Sequence, residues 1–171
     1  MSQAVTSEKA ARLAELIRES ERAVVLTGAG ISVPSGIPDF RSPGTGLWEN
    51  VDPMEVAHID AWGRDPDRFW RFYGDRFASL RHKRPNAAHE AVAELERRGA
   101  IRGVITQNID RLHRMAGSER VIEVHGLPQI TLDRGGRLAL VTQGPTPYDR
   151  RADVKLGGDV VAELEAVLAA L

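Results

Sequence analysis

The chain contains no cysteine in its 171 residues. That excludes disulfides and any thiolate metal site built from this chain alone. Neither sign of charge dominates: 23 basic and 24 acidic residues leave a formal net charge of -1. A general nucleic-acid or anionic-membrane binder needs clustered positive charge, so neither partner is expected. The arginines between Arg64 and Arg84 are interleaved with Asp65, Asp67 and Asp75, as on a solvated helix face. No apolar run reaches the ~20 residues that span a bilayer. Met1 to Glu21 is polar and amphipathic, without the apolar centre of a signal peptide. A cytoplasmic protein is the expectation.

What is present is an ordinary globular balance, 42% hydrophobic and 27% charged. At this length one domain is expected, large enough to bury roughly two-thirds of its unfolded surface. Helical periodicity covers Ser7 to Ser20, with Ala10, Leu13, Leu16 and Ile17 on one face. Asp65 to Leu80 is a second helix candidate carrying Phe69, Trp70, Phe72, Tyr73 and Phe77. Asn86 caps a third that Gly99 stops, and Asp159 caps the last. Short apolar runs at Ala23 to Thr27, Gly103 to Gln107, Val121 to Val124 and Leu138 to Val141 read as strands. Arg41 to Asp52 reads as a loop, and a short helix ends near Met115 before Gly117. Strands alternating with helices predict a doubly wound, parallel, Rossmann-like α/β sheet.

The first strand runs into Gly28-Ala29-Gly30. Glycine there permits a tight turn and lets backbone approach a pyrophosphate. The spacing departs from the common dinucleotide fingerprint, since the next glycine is Gly36. As a bare glycine pair it fits a tight strand-to-helix turn equally well. The continuation Gly36-Ile37-Pro38-Asp39-Phe40-Arg41 is more specific. An acid, an aromatic and a guanidinium in an exposed Gly/Pro loop point to a ligand.

These residues resemble a known family. Gly28 to Ser32 followed by Ser35 to Arg41 is similar to the signature loop of sirtuins. Thr106-Gln107-Asn108-Ile109-Asp110, with Leu112-His113 and Ala116-Gly117, resembles their second motif. Val121 to Gly126 resembles the third, and Pro85 to His89 is similar to the family's lead-in helix.

The resemblance implies NAD as cofactor and acyl-lysine protein substrates. In that family the acyl oxygen captures a ribose carbon as nicotinamide leaves, and a histidine then acts as general base. It implies that His125 is the base, an imidazole titrating near neutral pH. Asn108 and Asp110 would position the nicotinamide amide and ribose, with Asn108 also a candidate helix cap. Gln107 would contact ribose and Ile109 would line the cofactor. Gly28, Ala29, Gly30, Ile31, Ser32, Asp39, Phe40, Arg41 and Trp48 are the remaining cofactor candidates. Phe40 would shield the ribose carbon or anchor its loop in the core. Tyr73 and Arg76 lie three apart on one helical face. They resemble a pair that selects acidic acyl groups in some sirtuins, although core packing beside a surface arginine is the simpler reading. His89 and His113 read as structural.

The resemblance also marks a departure. Sirtuins carry a zinc module held by two cysteine pairs, followed by a further central strand and cofactor loop. Here Gly126 runs directly into Leu127-Pro128-Gln129-Ile130. Residues 1–171 are expected to form a single domain with a deletion between 126 and 127. The Gly126–Leu127 bond is expected to be abnormal or to sit in an awkward turn. A natural deletion, a truncation or omitted residues would each produce this junction. The expected function is an NAD-dependent protein deacylase. The alternatives are a catalytically silent NAD or ADP-ribose binder, and a chain that transfers ADP-ribose or hydrolyses NAD.

Overall fold

The computed structural model describes residues 2–40, 44, 46–49, 51–56, 58–123 and 135–171, with the side chains of 2–7, 59, 75 and 76 outside the description. Arg41, His125 and the 126–127 junction therefore lie outside the described residues.

Helix α1 (Ser2–Glu19) buries Ala10, Leu13, Ala14 and Leu16. It begins five residues earlier than the periodicity suggests. Strand β1 (Val25–Thr27) leads into a 3-10 helix, Ala29–Ser35, where a simple turn was expected. Gly36 closes that helix at φ 75°. A left-handed residue there suits glycine, which lacks the Cβ that opposes the conformation.

Helices α2 (Pro53–Val56) and α3 (Ile59–Arg64) interrupt what the sequence reads as connecting chain. Helix α4 (Pro66–Leu80) starts on an Asp65 cap that accepts a bond from the Arg68 amide at 2.9 Å. Its aromatic side chains stack in a run, with Phe69–Tyr73 centroids 4.7 Å apart and Tyr73–Phe77 5.8 Å apart. Helix α5 (Ala87–Arg97) begins on a capping box in which Asn86 accepts from the Ala88 amide.

Strands β2 (Val104–Thr106) and β3 (Val121–Glu123) follow, with α6 (Leu112–Met115) between them. The three strands pair in parallel in the order β1-β2-β3, with Thr27 beside Thr106 and Thr106 beside Glu123. Strands β4 (Ala139–Val141) and β5 (Val154–Leu156) form a separate parallel pair. Helix α7 (Val160–Ala170) ends the fold on an Asp159 cap.

The doubly wound α/β class is therefore realised, with its strands divided between two sheets. Among the described strands β1 pairs only with β2, so its second edge carries no ladder. Helix α7 joins the two parts. Its Leu164 packs with Val92, Leu95, Val104 and Val121, and its Val167 packs with Leu13, Val154 and Leu156. The Arg18 guanidinium donates to the Ala170 carbonyl, fixing α1 against the end of α7. Full burial of a side chain such as Leu156 contributes about 1.5–3 kcal/mol. Among the described residues no helix is long and apolar enough to cross a membrane.

Candidate functional site

The carboxyl ends of β1 and β2 lie side by side, which is where open α/β sheets place their ligands. Two turns meet there, Gly28–Gly30 after β1 and Gln107–Arg111 after β2. The second continues the ladder by one bond, from the Gln107 amide to the Thr27 carbonyl at 2.9 Å. Asn108 then bridges the two turns. Its Nδ2 donates to the Gly28 carbonyl at 3.0 Å and to Ser32 Oγ at 3.1 Å.

Ser32 is buried and its hydroxyl is a junction. It donates to Asp110 Oδ2 at 2.6 Å and accepts from Asn108. His89 lies 3.4 Å from it through Nε2. His89 Nδ1 accepts the Asn86 amide, so the ring proton belongs on Nε2, which donates to Ser32. Asp110 spends its other oxygen on the amide of Leu112, the first residue of α6, at 2.9 Å, and the N-cap position of that helix is Arg111 rather than the expected Asn108. Between them Arg111 adopts φ 63°, the one positive φ among the described non-glycine residues. A left-handed residue of this kind costs on the order of 1–2 kcal/mol. The surrounding bonds hold it there, and such outliers concentrate at functional sites.

Asn86 ties the 3-10 helix to α5. Its Nδ2 donates to the Ile31 carbonyl and to Ser35 Oγ, both at 2.9 Å. The following loop is anchored by main-chain bonds from Leu47 to Asp39 and from Trp48 to Phe40, each 3.0 Å. Phe40 stacks on Trp48 at 5.2 Å, and Trp48 faces Phe72 of α4 at 6.3 Å. Phe40 is thus half-buried against an aromatic stack rather than set into the main core.

The sequence candidates fall into three groups. Gly28, Ala29, Gly30, Ile31, Ser32, Gln107, Asn108 and Asp110 converge on the paired turns. Within that group Ile31 and Ser32 are buried beneath the surface, whereas Gln107 is exposed, as is Ile109 on the same turn. Asp39, Phe40 and Trp48 form the adjoining loop. Tyr73 lies on α4 inside the aromatic stack, and the side chain of Arg76 lies outside the described residues. A Cβ built on Gly30 meets nothing within 4 Å, so its backbone faces open space. A small cavity beside the second turn is lined by Thr106, Asn108, Asp110, His113 and Glu123. Among the described residues no group of three His, Asp or Glu could hold a metal ion.

Sequence reasoning missed Thr27 and Thr106. Both are buried, and Thr27 Oγ1 donates to Thr106 Oγ1 at 2.8 Å. Thr27 also lies 2.8 Å from His113 Nε2. The available signal was a threonine ending each of two apolar strands. Burial pushes the His113 imidazole down to about 4, reinforced by the neighbouring His89 ring and opposed by Asp110. Burial also lowers His89, again against Asp110. Both rings are neutral at physiological pH.

Comparison with known proteins places the chain in a family. The Sir2 family profile matches residues 28–131. An NAD-dependent protein deacetylase 2 of Caldanaerobacter subterraneus subsp. tengcongensis is 56% identical over 115 residues, covering 67% of this chain and 46% of that protein. An NAD-dependent protein deacylase 2 of Pyrobaculum aerophilum is 52% identical over 114 residues, covering 67% and 45%. The chain thus spans under half the length of these relatives. A solved Sir2 complex with deacetylated p53 peptide and 3'-O-acetyl ADP ribose superposes with TM-score 0.86 at 30% identity, covering 92% of this chain and 96% of that one. A Sir2 homologue in complex with ADP ribose gives 0.86 at 28% identity, covering 93% and 95%. On the profile match and these identities, the chain belongs to the Sir2 family.

Proposed function

We propose that this chain binds NAD in the crevice beyond β1 and β2 and acts as an NAD-dependent deacylase of acyl-lysine proteins. The observation that carries this reading is the Asn108 bridge between the two turns, locked through Ser32 to Asp110. The names of the relatives and the ADP-ribose complexes of the structural neighbours support it.

The residues fit such a cofactor. Open backbone at Gly30 admits a phosphate, and Gly28 to Ser32 would line that side. Asn108 carries the donor and acceptor that a carboxamide needs, and Gln107 and Asp110 lie within the same turn. Asp39, Phe40, Arg41 and Trp48 would wall the reacting end and exclude water, with Ile109 lining the cofactor. NAD itself supplies the ribose carbon from which nicotinamide departs. His125 would take a proton from a ribose hydroxyl. Tyr73 and Arg76 would face the acyl group, although the packing of Tyr73 on Phe69, Phe72 and Phe77 favours an aromatic-core role. We read residues 1–171 as a single domain shortened after Gly126, in a cytoplasmic protein. With no cysteine, the zinc expected for the family has no thiolate ligand here.

A second reading is a silent NAD or ADP-ribose binder. It is favoured by the edge of β1 that carries no ladder among the described strands, and by the pairing of β4 with β5 in a second sheet. Nicotinamide release from NAD, with and without an acetyl-lysine peptide, separates the two. Peptide-dependent release that disappears in His125→Ala supports the deacylase. NAD binding without release leaves the silent binder, and release without peptide indicates NAD hydrolysis.

A further inference from the structure

Beneath the Asn108 turn lies a chain of bonds that the cofactor reading does not use. His113 is 2% exposed, and its Nε2 is 2.8 Å from Thr27 Oγ1. Thr27 has one hydroxyl proton, and it goes to Thr106 Oγ1 at 2.8 Å. The proton in the first bond must therefore come from His113 Nε2. Thr106 Oγ1 in turn accepts the Asn108 amide at 3.1 Å. The series runs from α6, across the ends of β1 and β2, into the turn that carries Asn108.

The rest of the His113 ring agrees with this assignment. Its Nδ1 is buried and has no hydrogen-bond partner among the described residues. With the proton on Nε2, that atom is a bare acceptor, which is less costly to leave unpaired than a buried N–H. The His89 ring stands 4.9 Å away at 62° and offers no alternative anchor. Threonines at the ends of both strands, in register, supply the two linking oxygens.

We infer that His113, Thr27 and Thr106 form a buried relay that fixes the backbone of Asn108, making His113 a positioning residue for the cofactor site. The cofactor half of this inference rests on the NAD reading above, whereas the relay stands on its own geometry. Two consequences follow from a series arrangement. Breaking any link loosens the same amide, and breaking a second link adds nothing.

The test is amide hydrogen exchange of the full chain, read at Asn108 and, as a control, at Val92 and Leu95 in α5. Thr27→Val and Thr106→Val keep the side-chain shape and remove one hydroxyl. Each should speed exchange at Asn108 by about tenfold, as expected for one lost hydrogen bond. The α5 amides should keep their wild-type rates. Thr27→Ser and Thr106→Ser, which retain the oxygen, should restore protection. The double Val variant should match Thr106→Val alone, and His113→Phe should resemble Thr27→Val. Unchanged exchange at Asn108, an equal acceleration in α5, or a double variant that multiplies the single effects would each overturn the relay.

NAD titration supplies the second arm. Weaker NAD binding by the Val variants and recovery in the Ser variants support the positioning role. If wild type binds NAD and the Val variants bind it equally, that role is wrong. If wild type does not bind NAD, the cofactor reading fails with its half of the inference, and the exchange data still decide the relay.

Discussion

Lowering the pH from 7 to 5 should destabilise the protein through its buried histidines. His113 is held neutral, with its proton affinity reduced to about 4 by burial and by the adjacent His89. In the unfolded chain an imidazole titrates near 6.5. The folded value is the lower one, so between the two the unfolded state takes up the proton more readily. Stability from His113 is therefore complete above about pH 6.5 and is lost as pH falls towards 4. Across that window the loss is about 3 kcal/mol, of which about 2 is reached by pH 5. His89, shifted in the same direction, adds to it. The carboxyls of Glu94 and Asp149 are shifted down by their bonds to Arg97 and Arg98 and to Lys155 and Thr146, a direction that does not add to a loss between pH 7 and 5. Urea unfolding at pH 7, 6 and 5 reads the effect. With a slope of about 2 kcal/mol per molar, the midpoint should fall by ~1 M for His113 alone. His113→Phe should be less stable at pH 7 but lose much of this pH dependence. Parallel profiles for wild type and the variant would refute the reasoning.

Other perturbations follow from the same geometry. Ser32→Ala deprives Asp110, Asn108 and His89 of a shared partner, so it should cost about 1–3 kcal/mol in chemical denaturation. It should also weaken any NAD binding. At Gly103 a Cβ would stand 2.6 Å from the Arg120 carbonyl oxygen, an atom already bonded to the Val104 amide at 2.8 Å. Gly103→Ala should therefore force β2 from β3 at a cost of about 1–3 kcal/mol, visible as a lower thermal midpoint. Asn86→Ala removes both the α5 cap and the two bonds that hold the 3-10 helix. A loss of about 2 kcal/mol is expected, with faster amide exchange around Ile31 and Gly36.

Much of this was legible in the chain. Strands β1 to β4 announce themselves as short apolar runs, and Asn86 and Asp159 mark their helices as caps. The motifs at Gly28–Ser32 and Gln107–Asp110 fall just after β1 and β2, two strands that the sheet places side by side. Strand β5 escapes because Val154-Lys155-Leu156 is only three residues beside charged neighbours. Its alternation is real, with Val154 and Leu156 buried around a half-buried Lys155, but too short to register. Helices α2 and α3 are likewise too brief for periodicity and depend on local bonds, such as the Asp60 amide to His58 Nδ1 at 3.2 Å. The division of the strands into two sheets is a matter of pairing, which hydrophobic pattern does not encode. The roles of Thr27, Thr106 and His113 need three dimensions, since 86 positions separate Thr27 from His113.

The central claim is that the paired turns after β1 and β2 form an NAD site organised by Asn108. Calorimetric titration of NAD into wild type and Asn108→Ala, at one salt concentration and pH 7, tests it most directly. The account predicts saturable one-site binding to wild type and a loss of at least tenfold in affinity for the variant, with its unfolding midpoint only modestly lowered. Absent binding to wild type, or equal binding to both, would contradict it.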